Sequence, residues 1–218
     1  MKIKIDISVK VSRIVKIFVL AQVMLISGWS LIVPIFAVFV LDRIVGATLV
    51  TVGIVSAIYF VLKSLIQIPI ANYLDKTPGE KDDFYAVITG AILAAASAFA
   101  FILVKEIWQL YIVEALHAIA FGIYVPAWAG MFSRHHDKDH DSLDWSLQST
   151  AAGIGAGITG VIGGILAQSF GFDIVFVLVA IFSLITAFTL LSVPKLIFPK
   201  GRRRAREIKE ISHFQHHS

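Results

Sequence analysis

The chain has 218 residues, is 57% hydrophobic and 16% charged, and has a mean hydropathy of +0.82. A soluble domain carries about 25% charged residues, so the apolar excess points to lipid as the solvent. There are no cysteines, which excludes a disulfide framework, a thiolate metal site and a cysteine nucleophile. The basic balance, with a pI near 9.3, comes mostly from the two ends and fits membrane anchoring better than nucleic-acid binding.

A spanning helix needs about 20 apolar residues. Six segments qualify: 17–41, 47–74, 84–104, 107–133, 146–170 and 172–192, separated by short polar breaks. The expected organisation is a basic N-terminus (1–16), a six-helix bundle (17–192) and a basic tail (193–218) that suits an interfacial helix. The first segment follows Lys2, Lys4, Lys10, Arg13 and Lys16 as a signal peptide would. It has no small-residue cleavage site, and five more segments follow, so it reads as a retained helix. Sixteen Lys and Arg fall on the side of the termini and two, Arg43 and Lys105, on the other. The positive-inside rule therefore places both termini in the cytoplasm, with the protein in the cytoplasmic membrane.

Val33-Pro34-Ile35-Phe36-Ala37 echoes Val125-Pro126-Ala127-Trp128-Ala129 three helices later. An odd spacing runs the two copies in opposite directions, the pattern of a 3+3 inverted repeat.

Charged groups in hydrocarbon need a reason. Lys63 lies deep in the second segment, on a stripe with Ser56, Tyr59 and Gln67 at steps of three and four. Such a stripe faces protein or water rather than lipid. The fourth segment carries Glu114, His117, Phe121, Tyr124 and Trp128 on one face. These residues suit a solute-binding wall, and Glu114 and His117, one turn apart, can share a proton. Lys63 and Glu114 differ in depth by about 12 Å if both helices end at one level, so bracketing one cavity is expected ahead of a direct ion pair. Gln22, Trp29 and Phe36, at seven-residue spacing, fit a cavity wall or plain packing. In the fifth segment Gly153, Gly157, Gly160 and Gly164 are expected on one face, where small residues let helices approach closely. The histidines and acids between Arg134 and Asp141, and His213, His216 and His217, match no zinc or calcium spacing. No phosphate loop or hydrolase motif is present. The expectation is therefore no metal, no cofactor and no enzyme.

Ala71-Asn72-Tyr73-Leu74-Asp75-Lys76-Thr77-Pro78-Gly79-Glu80-Lys81 resembles the loop G-x-L-A-D-R-x-G-R-R of the major facilitator superfamily. Asp75 is the motif acid, and Lys76 and Lys81 stand at basic positions. Glu114-Ala115-Leu116-His117 through Pro126 resembles that family's R-x-x-Q-G…P, with the charge inverted at Glu114. Gly155, Gly160, Gly163 and Gly164, followed by Gly171-Phe172, resemble its glycine-rich fifth helix. The resemblance implies an all-α membrane fold, one six-helix half of a twelve-helix plan. It also implies secondary transport by alternating access, with Asp75 as gating acid. A lone half would show polar stripes to lipid, so the expected working unit is a homodimer with Asp75 near the partner's helix 5. The rival expectations are a heterodimer, one piece of a twelve-helix parent, and a non-transporting scaffold of the same fold. Glu114 and His117 are the expected proton or solute groups, and Lys63 the group for charge balance or an anion.

Overall fold

A computed structural model of the chain describes residues 13–77, 80–135 and 141–192. The expected interfacial tail, the first twelve residues and most of the histidine-rich loop fall outside the described residues. The described ones form α1 (Arg13–Ser30), a 3₁₀ turn (Val33–Ile35), α2 (Phe36–Arg43), α3 (Leu49–Lys76), α4 (Lys81–Leu103), α5 (Ile107–His135), α6 (Asp141–Phe170) and α7 (Phe172–Leu191). Among the described residues, six spans are long and apolar enough to cross a bilayer, the first being α1, the turn and α2 together. This is an all-helical, multi-pass membrane protein, and the expected boundaries hold to within a few residues.

The first segment departs from the expected single helix. Pro34 has no N–H to donate and crowds the preceding turn. The chain responds with i→i−3 bonds, Leu31 N–H to Gly28 O (3.1 Å), Ile32 N–H to Trp29 O (3.1 Å) and Ile35 N–H to Ile32 O (3.0 Å), and α2 restarts at Phe36. Pro69 and Pro126 lie inside helices that continue through them.

Helix starts follow local chemistry. Thr48 and Thr51 form a reciprocal capping box at α3, satisfying two backbone donors that the helix leaves free. The Gln109 Oε1 accepts from the backbone N–H of Lys105 (2.9 Å) and Glu106 (3.2 Å) ahead of α5. Gly171, at φ +84°, makes the tight reversal between α6 and α7, where a side chain would be strained.

α5 packs on α3 and α4, α1 packs on α6 and α7, and α4 packs on α7. Exchanging the first three spans with the last three maps these principal contacts onto one another. The first span, α4 and α7 are the most buried, at 44%, 50% and 44%, against 11% for α3 and for α6. The last two therefore present most of their apolar surface outward. Phe39, Phe101 and Phe176 interlock between α2, α4 and α7, the last two stacked at 5.2 Å.

The glycine face of α6 differs from the expected one. Gly153, Gly157 and Gly164 look onto open space. Gly155, Gly160 and Gly163 meet α1 instead: a Cβ at Gly163 would overlap the Leu31 carbonyl, one at Gly155 the Ser27 hydroxyl, and one at Gly160 would lie 3.2 Å from Pro34. The break in the first span thus rests on bare α6 backbone.

Candidate binding site

A cavity of about 370 Å³ opens between α1, the 3₁₀ turn, α3 and α5. Val33, Phe36, Val55 and Phe60 give it an apolar wall, while Trp29, Tyr59, Glu114, His117 and Phe121 carry its chemistry. Three of these rings come from three different helices. The His117 imidazole lies between the Trp29 indole (centroids 3.8 Å, planes 7° apart) and the Tyr59 ring (4.7 Å, 27°). Phe121 meets His117 edge-on at 5.1 Å.

His117 Nδ1 lies 3.1 Å from Glu114 Oε1. The i, i+3 spacing on α5 sets this contact, since side chains three apart share a helix face. Glu114 is buried, only 4% exposed, and its second oxygen has no hydrogen-bond partner among the described residues. In the tautomer whose Nδ1–H donates to the carboxylate, Nε2 is the ring nitrogen left free. The arrangement sets a carboxyl and an imidazole side by side in a buried site, and its aromatic surround suits an apolar or flat ligand.

The expected stripes divide on inspection. Trp29, Tyr59, Glu114 and His117 come together, with Ser56 and Phe121. Lys63 stands one turn along α3 from Tyr59, its Nζ 5.5 Å from that ring's centroid, and makes no ion pair among the described residues. Gln67 and Gln22 do not line the cavity. Tyr124 and Trp128 are packing residues here. Tyr124 is buried against Gly90 of α4, and Trp128 stacks on Phe132 at 5.0 Å and donates to the Phe18 carbonyl at 3.3 Å. Both continue the Glu114 stripe in sequence, but α4 and α1 close over the lower part of that face.

Sequence reasoning missed a charged cluster where the start of α4 meets the end of α5. Arg134, in the last turn of α5, pairs with Asp83 at the start of α4 and lies 3.8 Å from Glu80. His135 approaches Glu80 at 3.5 Å and stacks on Phe18 of α1. Opposite charges at the facing ends of two consecutive helices were the available signal. Asp75, Lys76 and Lys81 are exposed nearby and make no ion pair among the described residues. At the far end Arg43 pairs with Asp173 at 3.0 Å.

Among the described residues, six apolar helices surround a buried acid–imidazole pair. Residues 18–216 match the Major Facilitator Superfamily, and the chain belongs to that superfamily. It is 29% identical over 151 residues to the proton-coupled antiporter flippase LtaA of Staphylococcus haemolyticus (strain JCSC1435). That match takes in 69% of this chain and spans 36% of the relative's length.

Proposed function

We propose that the chain is one six-helix half of a proton-coupled secondary transporter that carries a small solute by alternating access, and that two copies form the working unit in the cytoplasmic membrane, termini inward. The observation that carries the reading is the buried Glu114–His117 pair at 3.1 Å inside an aromatic cavity. A group that gains and loses a proton there changes the charge of the site, and so shifts the balance between two conformations. The relative described as a proton-coupled antiporter agrees with this chemistry, and the exchange symmetry of the packing agrees with an inverted repeat. The outward apolar faces of α3 and α6 are the surfaces a second half would cover, bringing Asp75 of one copy toward α6 of the other. Asp75 would there meet the positive end of a helix dipole.

The test is accumulation of labelled solutes by proteoliposomes under an imposed pH gradient. Gradient-driven uptake that Glu114→Gln and His117→Gln abolish is expected. Uptake indifferent to the gradient and to both substitutions would refute proton coupling at this pair.

A further inference from the structure

Lys63 is the cation that the acid–imidazole pair leaves over. Resting on the transporter reading above, we infer that the solute is an organic anion with an apolar or aromatic body, bound together with one proton: body in the cavity, anionic group at Lys63, proton on His117.

The argument is a charge count. The ionisable groups gathered around His117 are Glu114 on its own helix and Tyr59 and Lys63 on α3. α1 contributes Trp29 and α4 contributes Phe101, which do not titrate. Tyr59 carries a neutral phenol. Empty, with a neutral imidazole, Glu114 and Lys63 cancel. An anion bound alone leaves one negative charge in hydrocarbon; a proton bound alone leaves one positive. Anion and proton together restore neutrality. Net charge inside a bilayer is strongly disfavoured, so the empty and doubly loaded forms are the two that can cross between conformations cheaply. That is a coupling rule of one proton per anion, travelling in the same direction.

The geometry supports the placement. Tyr59 touches both sides of the count: its ring stacks on His117 and lies under the Lys63 ammonium at 5.5 Å. A Cβ at Gly122 of α5 would lie 3.3 Å from the Lys63 carbonyl oxygen, so the α3 backbone at Lys63 runs close against the helix that carries the proton pair. The cavity wall is mostly aromatic and aliphatic, which suits the body of such an anion; Lys63 stands outside that lining, beyond the Tyr59 ring, where it would meet the anionic end. A cationic solute would instead add a second positive charge beside Lys63.

The experiment uses the full chain in phosphatidylcholine nanodiscs and two probes with the same flat body and opposite terminal charge, 2-naphthalenesulfonate and 2-naphthyltrimethylammonium. Calorimetry in buffers of differing ionisation enthalpy measures binding and proton uptake, with empty nanodiscs as background. Saturable sulfonate binding with about one proton taken up is expected, tightening about tenfold per pH unit on acidification until His117 is already protonated in the free protein. Lys63→Met is expected to weaken it about tenfold or more, Lys63→Arg to retain it, and His117→Gln to bind without proton uptake. Preference for the ammonium probe, sulfonate binding without proton uptake, or indifference to Lys63→Met in protein that still elutes as a folded species would each overturn the inference. Failure of both probes to bind would also overturn it, and is distinguishable from failure of the transporter reading, which shows as absent gradient-driven uptake in the proteoliposome assay.

Discussion

The Trp29 indole lies flat on the His117 imidazole, centroids 3.8 Å apart and planes 7° from parallel. It also meets Phe121 edge-on at 5.6 Å. An aromatic pair contributes about 0.5–1.5 kcal/mol beyond its buried area. Trp29→Leu, which loses both pairs, is therefore expected to cost about 1–3 kcal/mol, and Trp29→Phe to recover most of it. Thermal unfolding of the purified protein, followed by loss of monodispersity, checks the order wild type, Phe, Leu. Equal midpoints for Phe and Leu would show that the stack adds nothing beyond volume.

Gly163 and Gly164 are neighbours with opposite surroundings. The first abuts the Leu31 backbone and the second faces open space. Gly163→Ala is expected to force α6 away from α1 and to lower the folded yield sharply. Gly164→Ala is expected to be neutral or to gain up to about 1 kcal/mol from helix propensity. Fluorescence-detected size exclusion of the two variants side by side tests the pair.

Two of the ion pairs, Arg134–Asp83 and Arg43–Asp173, should respond unequally. Asp83 is 1% exposed, so Arg134→Ala leaves a buried carboxylate without its partner. Breaking a buried pair costs about 3–5 kcal/mol; the partly exposed arginine places this one toward the lower end. Asp83→Asn in the Arg134→Ala background is expected to restore part of the loss, which a double-mutant cycle resolves. Arg43→Ala removes an exposed pair, side chains 44% and 58% accessible, and should cost under about 1 kcal/mol.

If two copies work together, differently tagged chains carrying Lys76→Cys and Ser146→Cys are expected to crosslink with each other. Both positions are exposed. Crosslinks found solely within doubly substituted single chains would place the second half elsewhere.

Helix number and boundaries were legible because hydrocarbon thickness fixes a length and polar breaks punctuate it. The Glu114–His117 contact was legible because i, i+3 spacing determines it within one helix. The partners of His117 were not, since Trp29 and Tyr59 arrive from other helices and only packing brings their rings parallel. Spacing equally placed Tyr124 and Trp128 on the site face, yet α4 and α1 cover that face below Phe121. The glycine face was misread by one step around α6: six glycines within twelve residues leave the sequence nearly featureless around the helix, and α1 alone decides which of them matter. The break at Pro34 shows the limit of proline as a signal, for Pro69 and Pro126 carry the same chemistry without ending their helices.

The seam between α1 and α6 has a mechanical consequence. Where Gly163 meets Leu31, backbone lies on backbone, with no side chain from α6 set into a groove of α1. Most helix pairs interlock through such side chains, and a shift along their axes must lift each one over its neighbours. At Gly163 the resistance to sliding is backbone corrugation alone, beside the one place where the first span is already divided. Any movement of α6 relative to α1 should therefore begin there, while the aromatic interlock of α2, α4 and α7 keeps the far end of the span in register.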